Sequence, residues 1–481
     1  MAVSPARSSL ARSAAFEILL RVEREDSYAA ELLHSPRLAK LSARDHGLAT
    51  ELVMGVLRWQ SLLDQRVGAA ASQKVERLDG EVLTALRLGV YQLQFLSRVP
   101  ARAAIFESVE LVKAARKRSA ASFVNAVLRT IAGRGRGAED IFAQIGKSPD
   151  PITLAQNAAH PPWLVARWAD HYGLETAREI CAHDQTVPST SIHIHGGRSN
   201  GGRLESDQSD AELAAAGITL APGQLLSAAR RVLSGDVTTT RAFQEGRVSI
   251  QDEASQLVAL LVGCGETDLD HSILGYTILD STIPDSRILD CCAAPGSKTA
   301  LVARRNPGAK VFATELHPHR ARLLQTLSRQ PNVHVVAADA RHLPFSVTFN
   351  RILVDVPCSG TGTLARNPEI KWRLKAEDLH DLQSRQVAIL KSALAQLAIG
   401  GRLVYSTCSL EREGNEAVVE AALGGKSEFK VVDCRGELEL LRQSGEMCWK
   451  DTASLLAGPY LRTIPGVHPC DGFFAAIIER K

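Results

Sequence analysis

The sequence of 481 residues contains no run of about 18 uncharged apolar residues, which a membrane-spanning helix would need. Its first residues lack the apolar core of a secretion signal, because Arg7, Arg12 and Glu17 interrupt them. Nine cysteines are present, but none forms a C-x-x-C pair, which argues against both a disulfide framework and a zinc ribbon. These absences predict a cytoplasmic protein with reduced thiols, no membrane partner and no bound metal.

Two familiar nucleotide-binding patterns are missing from a stretch that otherwise suits a nucleotide. Residues 288–299 read as a strand, a Gly turn and a helix start, as in the first turn of a doubly wound sheet. The turn has no G-x-G-x-x-G pattern. Lys298 does not directly follow a Gly, and no Gly stands five residues before Gly296, so it is not a P-loop either. A cofactor with an adenosine but no pyrophosphate, such as S-adenosylmethionine, suits what remains.

Positive charge is concentrated in the N-terminal part, although the whole chain carries a net charge of only +3. Residues 98–136 include nine basic residues and only two acids, Glu107 and Glu110. Such a region suits a polyanionic partner, most simply RNA. A solvated helix face that is rich in Lys and Arg explains the charge equally well, so charge alone leaves both interpretations open.

Hydrophobic periodicity divides the chain into three predicted domains. Apolar residues recur at helical spacing up to about Gly137, which predicts an all-helical domain over 1–145. Residues 137–151 are predicted to form a linker. The second domain, 146–245, contains the end of this linker and a small α+β module with short helices and a strand at 190–195. Strands and helices then alternate, which predicts an α/β domain with a parallel sheet over 246–481.

Individual elements of the α/β domain can also be predicted. The strands are expected at 288–291, 311–314, 333–337, 352–354, 403–406 and 473–478. The main helices are expected at 298–304, 320–330 and 378–396. Residues 196–210 are predicted to form a polar loop, and 264–285 an insertion or flexible link.

Two histidines share one face of the strand predicted at 190–195. His193 and His195 alternate along it and could together ligate a metal. No third ligand lies at a telling spacing, so we interpret the pair as part of an exposed strand face.

Acidic residues follow four successive predicted strands. Asp290, Glu315, Asp339 and Asp355 should meet at one edge of the sheet, because parallel strands deliver their carboxyl ends together. Any one of them could be a helix cap or turn residue. Glu315 stands 19 residues after Gly296, where an acid can hold ribose hydroxyls.

Two cysteines occupy equivalent places after the fourth and fifth of these strands. Cys358 lies in Pro-Cys-Ser-Gly and Cys408 in Ser-Thr-Cys-Ser, so both thiols should lie over one pocket. Methylation of a pyrimidine carbon needs such groups, because carbon 5 of cytosine becomes nucleophilic after a thiolate adds at carbon 6. Asp355 could hydrogen-bond the ring nitrogen as charge shifts onto it. Six other cysteines are attributed to core packing or to chance: Cys181, Cys264, Cys291, Cys434, Cys448 and Cys470.

The motifs around these residues resemble the RNA cytosine-C5 methyltransferases of the NOL1/NOP2/Sun (NSUN) family. They are P-C-S-G-T-G at 357–362, S-T-C-S at 406–409, C-A-A-P-G-S-K at 292–298, V-S-I-Q-D-E-A-S at 248–255, R-N-P-E-I-K-W at 366–372 and D-G-F-F at 471–474. The N-terminal part resembles a NusB-like RNA-binding domain in E-L-V-M-G-V-L-R at 51–58 and F-V-N-A-V-L-R at 123–129.

This resemblance implies a fold and a reaction. The fold would be multidomain, with an all-α NusB-like domain, a small α+β RNA-binding module and an α/β Rossmann-like (class I) S-adenosylmethionine-dependent methyltransferase domain. The reaction would be methyl transfer to carbon 5 of a specific cytosine in 16S ribosomal RNA, through a covalent cysteine–RNA intermediate. Cys408 is the implied nucleophile, and Cys358 assists release of the methylated base. The protein is expected to act as a monomer on small-subunit ribosomal RNA.

The resemblance also assigns the pocket of the methyl donor. The residues that hold S-adenosylmethionine or shape its pocket are Cys292, Ala293, Ala294, Pro295, Gly296, Ser297, Lys298, Glu315, Asp339 and Asp355. Three positions depart from the family pattern. Ser297 stands where Gly is usual, Glu315 replaces a more frequent Asp, and Ile-His-Ile-His at 192–195 replaces an Arg-Val-Asn signature. The insertion at 264–285 has no family counterpart.

Two other functions stay open at this point. The chain could be an RNA-binding protein whose sheet domain is an inactive scaffold, although the intact cofactor turn and thiols speak against it. It could also methylate exocyclic nitrogens, but that chemistry predicts Asn/Asp-Pro-Pro-Tyr/Phe after the fourth strand. The sequence has Asp-Val-Pro-Cys at 355–358 instead.

Overall fold

A computed structural model describes residues 9–25, 27–134, 141–195, 204–263 and 286–481. The chain divides into two compact units. The first consists of Met1–Val187 and Leu364–Leu374, and the second of Pro188–Thr363 and Lys375–Lys481. The domain boundaries at 145 and 245 stay predictions, and the insertion at 264–285 lies outside the described residues.

Helices alone make up the described part of the first unit. They are α1 Leu10–Glu25, α2 Ala29–Leu33, α3 Ala43–Ala71, α4 Gly80–Phe95, α5 Ala101–Ala114, α6 Ala121–Gly133, α7 Ile141–Gly146, α8 Pro151–Asn157, α9 Pro162–Tyr172 and α10 Leu174–Asp184. The linker predicted at 137–151 is therefore wrong where it covers α7, while 135–140 lie outside the described residues. Buried apolar residues of α1, α3, α4 and α6 form the core of this unit, and α4 is buried on all sides from Val82 to Gln94.

Close approach of α3 and α4 depends on a glycine. The ring of Tyr91 lies directly over Gly55, so a Cβ atom there would overlap the ring. The ring cannot easily move, because Tyr91 Oη donates to Glu51 Oε1 at 2.6 Å and the ring stacks on Phe95 with centroids 5.0 Å apart. Gly55 therefore sets the distance between the two helices.

The segment 364–374 is bound within the helical unit by its side chains. Lys371 Nζ donates to the Arg58 carbonyl at 2.9 Å, and Trp372 Nε1 donates to the Leu57 carbonyl at 2.6 Å. The buried carboxylate of Glu369 accepts from the Ala29 amide at 2.8 Å. The R-N-P-E-I-K-W motif at 366–372 is thus a packing element of the first unit.

The second unit begins with a four-stranded antiparallel sheet in the order β2-β3-β1-β4. Its elements are β1 Thr190–Ile194, α11 Leu204–Ala215, β2 Thr219–Pro222, β3 Ala229–Ser234, α12 Arg241–Gln244 and β4 Val248–Ile250. The polar loop predicted at 196–210 is wrong from residue 204, where α11 begins, and 196–203 lie outside the described residues.

The histidine pair on β1 is not on an exposed face, so that interpretation is wrong. His193 is buried, with Nδ1 2.8 Å from Gln256 Oε1, and His195 Nε2 lies 3.0 Å from Ser249 Oγ. Burial lowers the pKa of His193 to about 4 and that of His195 to about 2, so both rings are neutral at pH 7. Within the described ranges, no three His, Cys, Asp or Glu side chains group as metal ligands.

A larger sheet forms the rest of the second unit. Its strands are β5 Arg287–Cys291, β6 Lys310–Glu315, β7 Val333–Ala337, β8 Phe349–Asp355, β9 Leu397–Thr407, β10 Phe429–Val432, β11 Leu456–Ala457, β12 Tyr460–Arg462 and β13 Phe474–Arg480. The helices are α13 Glu253–Leu261, α14 Ser297–Arg305, α15 Pro318–Leu327, α16 Ile370–Arg373 (part of the first unit), α17 Asp378–Ala395, α18 Glu416–Leu423 and α19 Cys434–Gln443.

The topology of the larger sheet makes the carboxyl ends of β5 and β8 the expected position for a ligand. The strand order is β11-β12-β13-β9-β8-β5-β6-β7, with β10 paired to β13. Strands β5 to β9 are parallel, whereas β13 runs antiparallel to β9. The chain fills one side of β5 with β6 and β7, and then the other side with β8 and β9. Ligands bind in the crevice where strand order reverses in this way.

Apolar clusters cover both faces of the larger sheet. One includes residues of α13, α14 and α19, and the other includes residues of α17 and α18. The strands predicted from their short apolar runs are confirmed. No helix in the described ranges combines the length and the apolar character needed to cross a membrane.

Gly55→Ala should destabilise the first unit. The added methyl group meets a ring that is held on two sides, and overpacking of this kind costs about 1–3 kcal/mol. Gly47→Ala in the same helix is the matched control, since nothing lies within 4 Å of its Cβ position. It should stabilise the protein by about 0.5–1 kcal/mol through helix propensity. Urea titrations of both variants measure the effect, and equal stabilisation by both would contradict the close packing.

Candidate active site

The turn between β5 and α14 brings residues 292–298 together as predicted. Cys292 and Gly296 both have positive φ values, 61° and 113°. A side chain at Gly296 would place its Cβ 2.5 Å from Leu324 Cδ1, so glycine is required there for two reasons. The Ala293 amide donates to the Thr314 carbonyl at 2.8 Å and so fastens the turn to β6. Ser297 and Lys298 then begin α14.

The four predicted acids lie at the carboxyl edge of the sheet, but they have different partners. Asp290 is buried and accepts from Thr299 Oγ1 at 2.6 Å. Glu315 ends β6, and its Oε1 accepts from the His317 amide at 3.1 Å. Asp339 caps the turn after β7 and pairs with the Arg341 guanidinium at 2.7 Å, which lowers its pKa.

The pKa of the Cys292 thiol reflects the charges of all four carboxylates. Burial raises the pKa of Cys292 first, and the charges of Asp290, Asp355, Glu315 and Asp339 raise it further. All four acids therefore act on the same point in the turn. Arg341 and Lys298 neutralise Asp339 and Asp355. Glu315 and the ionised fraction of Asp290 therefore supply the net negative charge, which favours a cation over an anion at this edge.

Asp355 connects the turn to the cysteine strands. Its Oδ2 pairs with Lys298 Nζ at 2.8 Å, and its Oδ1 accepts from Ser406 Oγ at 2.8 Å. Burial alone would lower the pKa of Lys298, but the Asp355 carboxylate outweighs burial and raises it. The ammonium also lies 5.1 Å from the centre of the Phe473 ring. Lys298 therefore stays protonated beside the pocket.

Cys358 and Cys408 meet as predicted, with their Sγ atoms 3.2 Å apart. Both are half-buried near the starts of the loops after β8 and β9. The hydrogen bond between them lowers the pKa of Cys358 and raises that of Cys408, and either sulfur can be the donor. The pair therefore loses its first proton more easily than its second. Lys298 acts in the opposite sense on Cys408, because its positive charge lowers that pKa.

Three of the sequence motifs hold these two cysteines in contact. The Gly362 amide donates to the Cys408 carbonyl at 2.9 Å, and the Gly472 amide donates to the Gly362 carbonyl at 2.8 Å. A Cβ at Gly362 would overlap the backbone of Gly472, so only glycine allows this approach. Ser359 Oγ and Ser409 Oγ also bond at 2.7 Å. The site is consequently a rigid layer of three loops.

Comparison with known proteins identifies the kind of enzyme that carries this site. Residues 277–479 match the family described as 16S rRNA methyltransferase RsmB/F, and residues 9–133 match the NusB family. A Bacillus subtilis (strain 168) protein named "Probable ribosomal RNA small subunit methyltransferase B" is 33% identical over 482 residues, with 98% of each chain covered. The chain belongs to the RsmB/F methyltransferase family.

A second relative agrees with this membership, and a solved structure has a similar fold. The "Ribosomal RNA small subunit methyltransferase B" of Pseudomonas putida is 33% identical over 421 residues, which cover 85% of this chain and 88% of that protein. The crystal structure of a protein called PH0851 has a TM-score of 0.75 and 20% identity, and covers 98% of both chains. The predicted fold class, with a NusB-like helical part and a Rossmann-like methyltransferase part, is confirmed.

Some residues of the RsmB/F site were missed by sequence reasoning. Thr299 binds Asp290, Ser406 binds Asp355, and Phe473 lies beneath Lys298. Gln386 Nε2 donates to the Pro357 carbonyl at 2.9 Å, next to Cys358. Ser406 and Phe473 lie inside motifs that the resemblance had used, so they could have been proposed. Gln386 on α17 has no such signal, because its helix is distant in sequence.

Of the remaining cysteines that the structure describes, all but Cys448 are core residues. Cys181, Cys291, Cys434 and Cys470 are buried, as expected. Cys448 is exposed, so core packing does not apply to it, and Cys264 lies outside the described residues. The apolar surroundings of the buried thiols raise their pKa values.

Asp290→Asn should change how stability depends on pH. Burial first, and then the Asp355 charge, raise the pKa of Asp290 from 3.8 to about 7. Between these values the folded protein holds a proton that the unfolded chain releases, so the parent loses stability as pH rises from about 4 to 7. Asparagine cannot ionise at this position. The free energy of unfolding of the variant should therefore rise relative to that of the parent by up to about 4 kcal/mol between pH 4 and pH 8. Urea titrations at both pH values measure this gain; an equal difference at both would mean that folded Asp290 is already ionised.

Proposed function

We propose that this protein methylates carbon 5 of a cytosine in 16S ribosomal RNA, with S-adenosylmethionine as donor and a covalent bond between Cys408 and the base. The observation that carries the proposal is the pair of half-buried sulfur atoms 3.2 Å apart beside Asp355. A purely structural thiol has no need of a second thiol and an ion pair at a ligand-binding edge. A reaction in which one thiol bonds to the base and another helps to release it needs both.

Cys408 is the nucleophile in this proposal. Its thiolate adds to carbon 6 of the cytosine, which forms an S–C bond and moves an electron pair of the ring towards the ring nitrogen. The contact with Cys358, burial and the Asp355 charge raise the pKa of Cys408, and the positive charge of Lys298 offsets part of this rise. The ion pair of Lys298 and Asp355 contains a proton that can be shared with the ring nitrogen as negative charge collects there. Carbon 5 then becomes nucleophilic.

Release of the product breaks the S–C bond that formed in the first step. After methyl transfer, carbon 5 still carries its proton, and a base removes it. The double bond between carbons 5 and 6 re-forms and the Cys408 sulfur leaves with the electron pair of the S–C bond. Cys358 assists this step from its position next to Cys408, which explains why two loops are packed to bring the thiols together.

The edge of the sheet fits a cationic, adenosine-bearing methyl donor. Residues 292–298 form a glycine turn without the phosphate-cradling pattern, and Glu315 ends the next strand with a carboxylate suited to ribose hydroxyls. The carboxylates that act together on Cys292 favour a positive ligand, with Asp339 and Asp355 among them. S-Adenosylmethionine supplies the electrophilic methyl group when it is bound.

Two features support ribosomal RNA as substrate. The N-terminal unit includes the NusB-family match at 9–133 and the basic residues of 98–136. The relatives from Bacillus subtilis and Pseudomonas putida are both named as small-subunit ribosomal RNA methyltransferases. We therefore propose that the chain binds small-subunit ribosomal RNA and acts on it in the cytoplasm.

Replacement of the two cysteines should give opposite defects. Cys408→Ser should lower methyl transfer to 16S ribosomal RNA by more than about 10³-fold, because the attacking group is lost. Cys358→Ser should accumulate a protein–RNA adduct that survives denaturing electrophoresis, because release is blocked. Incorporation of labelled methyl groups and gel shifts of the denatured protein measure the two effects.

Cys448→Ser is the matched control, since this exposed thiol lies outside the site. It should retain activity and form no adduct. An active Cys408→Ser enzyme, or an adduct in the Cys408 variant instead of the Cys358 variant, would rule out the assigned roles.

The RNA that carries the modification can be identified in cells. Deletion of the gene should remove one 5-methylcytosine from 16S ribosomal RNA, and bisulfite sequencing detects this loss directly. Complementation with the parent should restore the mark, whereas complementation with the Cys408→Ser variant should not. Loss of a mark in another RNA, with 16S ribosomal RNA unchanged, would show that the substrate assignment is wrong.

A further inference from the structure

A single buried side chain holds the turn of Cys408 on both sides. Asn415 Oδ1 accepts a hydrogen bond from Thr407 Oγ1 at 2.5 Å, and Asn415 Nδ2 donates to the Ser409 carbonyl at 2.9 Å. The Ser409 amide donates in turn to Thr407 Oγ1 at 3.2 Å. Thr407 and Asn415 are completely buried. These three bonds form a closed ring around the backbone of Cys408.

Asn415 does not have the role that its position in the fold suggests. It directly precedes α18, where asparagine commonly caps the helix by accepting from an amide of the first turn. Its side chain makes no such bond here. Both of its polar groups instead reach the two residues that flank Cys408. The helix goes without a side-chain cap at this end, and the cysteine turn receives the hydrogen bonds.

The strand that precedes Cys408 also positions Asn415. The Tyr405 hydroxyl, on β9, donates to the Gly414 carbonyl at 2.6 Å. The Asn415 amide donates to the Arg412 carbonyl at 3.1 Å and closes the turn before α18. Tyr405 is buried, so this bond is shielded from water. The side chain of Asn415 is therefore fixed relative to the backbone that it holds.

We infer that Asn415 is a positioning residue that holds the Cys408 thiol in the direction needed for attack on the base. This role rests on the proposed function, in which Cys408 is the nucleophile. The ring needs one acceptor for the Thr407 hydroxyl and one donor for the Ser409 carbonyl, and a carboxamide supplies both. An aspartate of the same shape would set a carboxylate oxygen against the Ser409 carbonyl. Asn415→Asp is therefore the informative substitution.

Steady-state kinetics and thiol chemistry together test this role. Asn415→Asp should lower kcat by about 10²-fold and leave KM for the RNA and for S-adenosylmethionine unchanged, because a misdirected nucleophile slows attack but not binding. Thr407→Val should do the same, whereas Thr407→Ser keeps the hydroxyl and should retain most of kcat. Alkylation of Cys408 by iodoacetamide over a range of pH, read by peptide mass spectrometry without RNA, should show a changed rate profile in Asn415→Asp.

Asn332→Ala provides a control for a purely structural asparagine. Asn332 Nδ2 donates to the carbonyls of Ala303, Asn306 and Ala309, at the start of β7 and outside the cysteine turn. This variant should lower Tm and leave kcat and the alkylation profile unchanged. The positioning role is overturned if Asn415→Asp has the kcat and alkylation profile of the parent. It is also overturned if the variants at 332 and 415 lose activity equally at equal loss of Tm.

The outcome for Cys408→Ala separates the two proposals. Normal methyl transfer by that variant would remove the proposed function, and the positioning role with it. An inactive Cys408→Ala enzyme together with a fully active Asn415→Asp enzyme would remove the positioning role alone.

Discussion

The register of the parallel pair β8 and β9 is the constraint on which the cysteine site depends. It sets Asp355 opposite Ser406, and their side chains bond at 2.8 Å. Cys358 and Cys408 follow within three residues of this pair, so their sulfur atoms meet at 3.2 Å. Side chains alternate between the faces of a strand, so a slip of one residue would separate the hydroxyl from the carboxylate. The buried apolar residues on both faces of the sheet make such a slip costly.

Charge at the sheet edge is distributed unevenly between the β5–α14 turn and the thiols. The acids at the ends of β5, β6 and β8 and after β7 create a negative field around the β5–α14 turn. Lys298 leaves that turn and places one protonated ammonium beside Asp355 and near the thiols. The ammonium lowers the pKa of Cys408 against the larger effects of Cys358, burial and Asp355, which raise it. One short segment of chain, 292–298, thus contributes to both parts of the pocket.

Much of the second unit could be predicted because its local signals are strong. Short apolar runs mark β5 to β9, and an acid or a cysteine motif follows each strand, so the edge residues could be assigned before any contact was known. The errors have a common cause. His193 is predicted as exposed but is buried, because its burial depends on contacts such as the one with Gln256, which is distant in sequence. The helix α11 begins inside a polar stretch, where composition suggests a loop.

The sequence by itself determined the residue types at the strand ends, the turn of 292–298 and the two cysteine motifs, since each is a local pattern of a few residues. Tertiary structure decided the partner of each polar side chain. Asp290 bonds to Thr299, Asp339 pairs with Arg341, and Thr407 bonds to Asn415. It also decided that 364–374 packs with the helical unit. The physical reason is that periodicity reports neighbours along the chain, whereas these contacts follow from strand register and from which buried groups must find a hydrogen-bond partner.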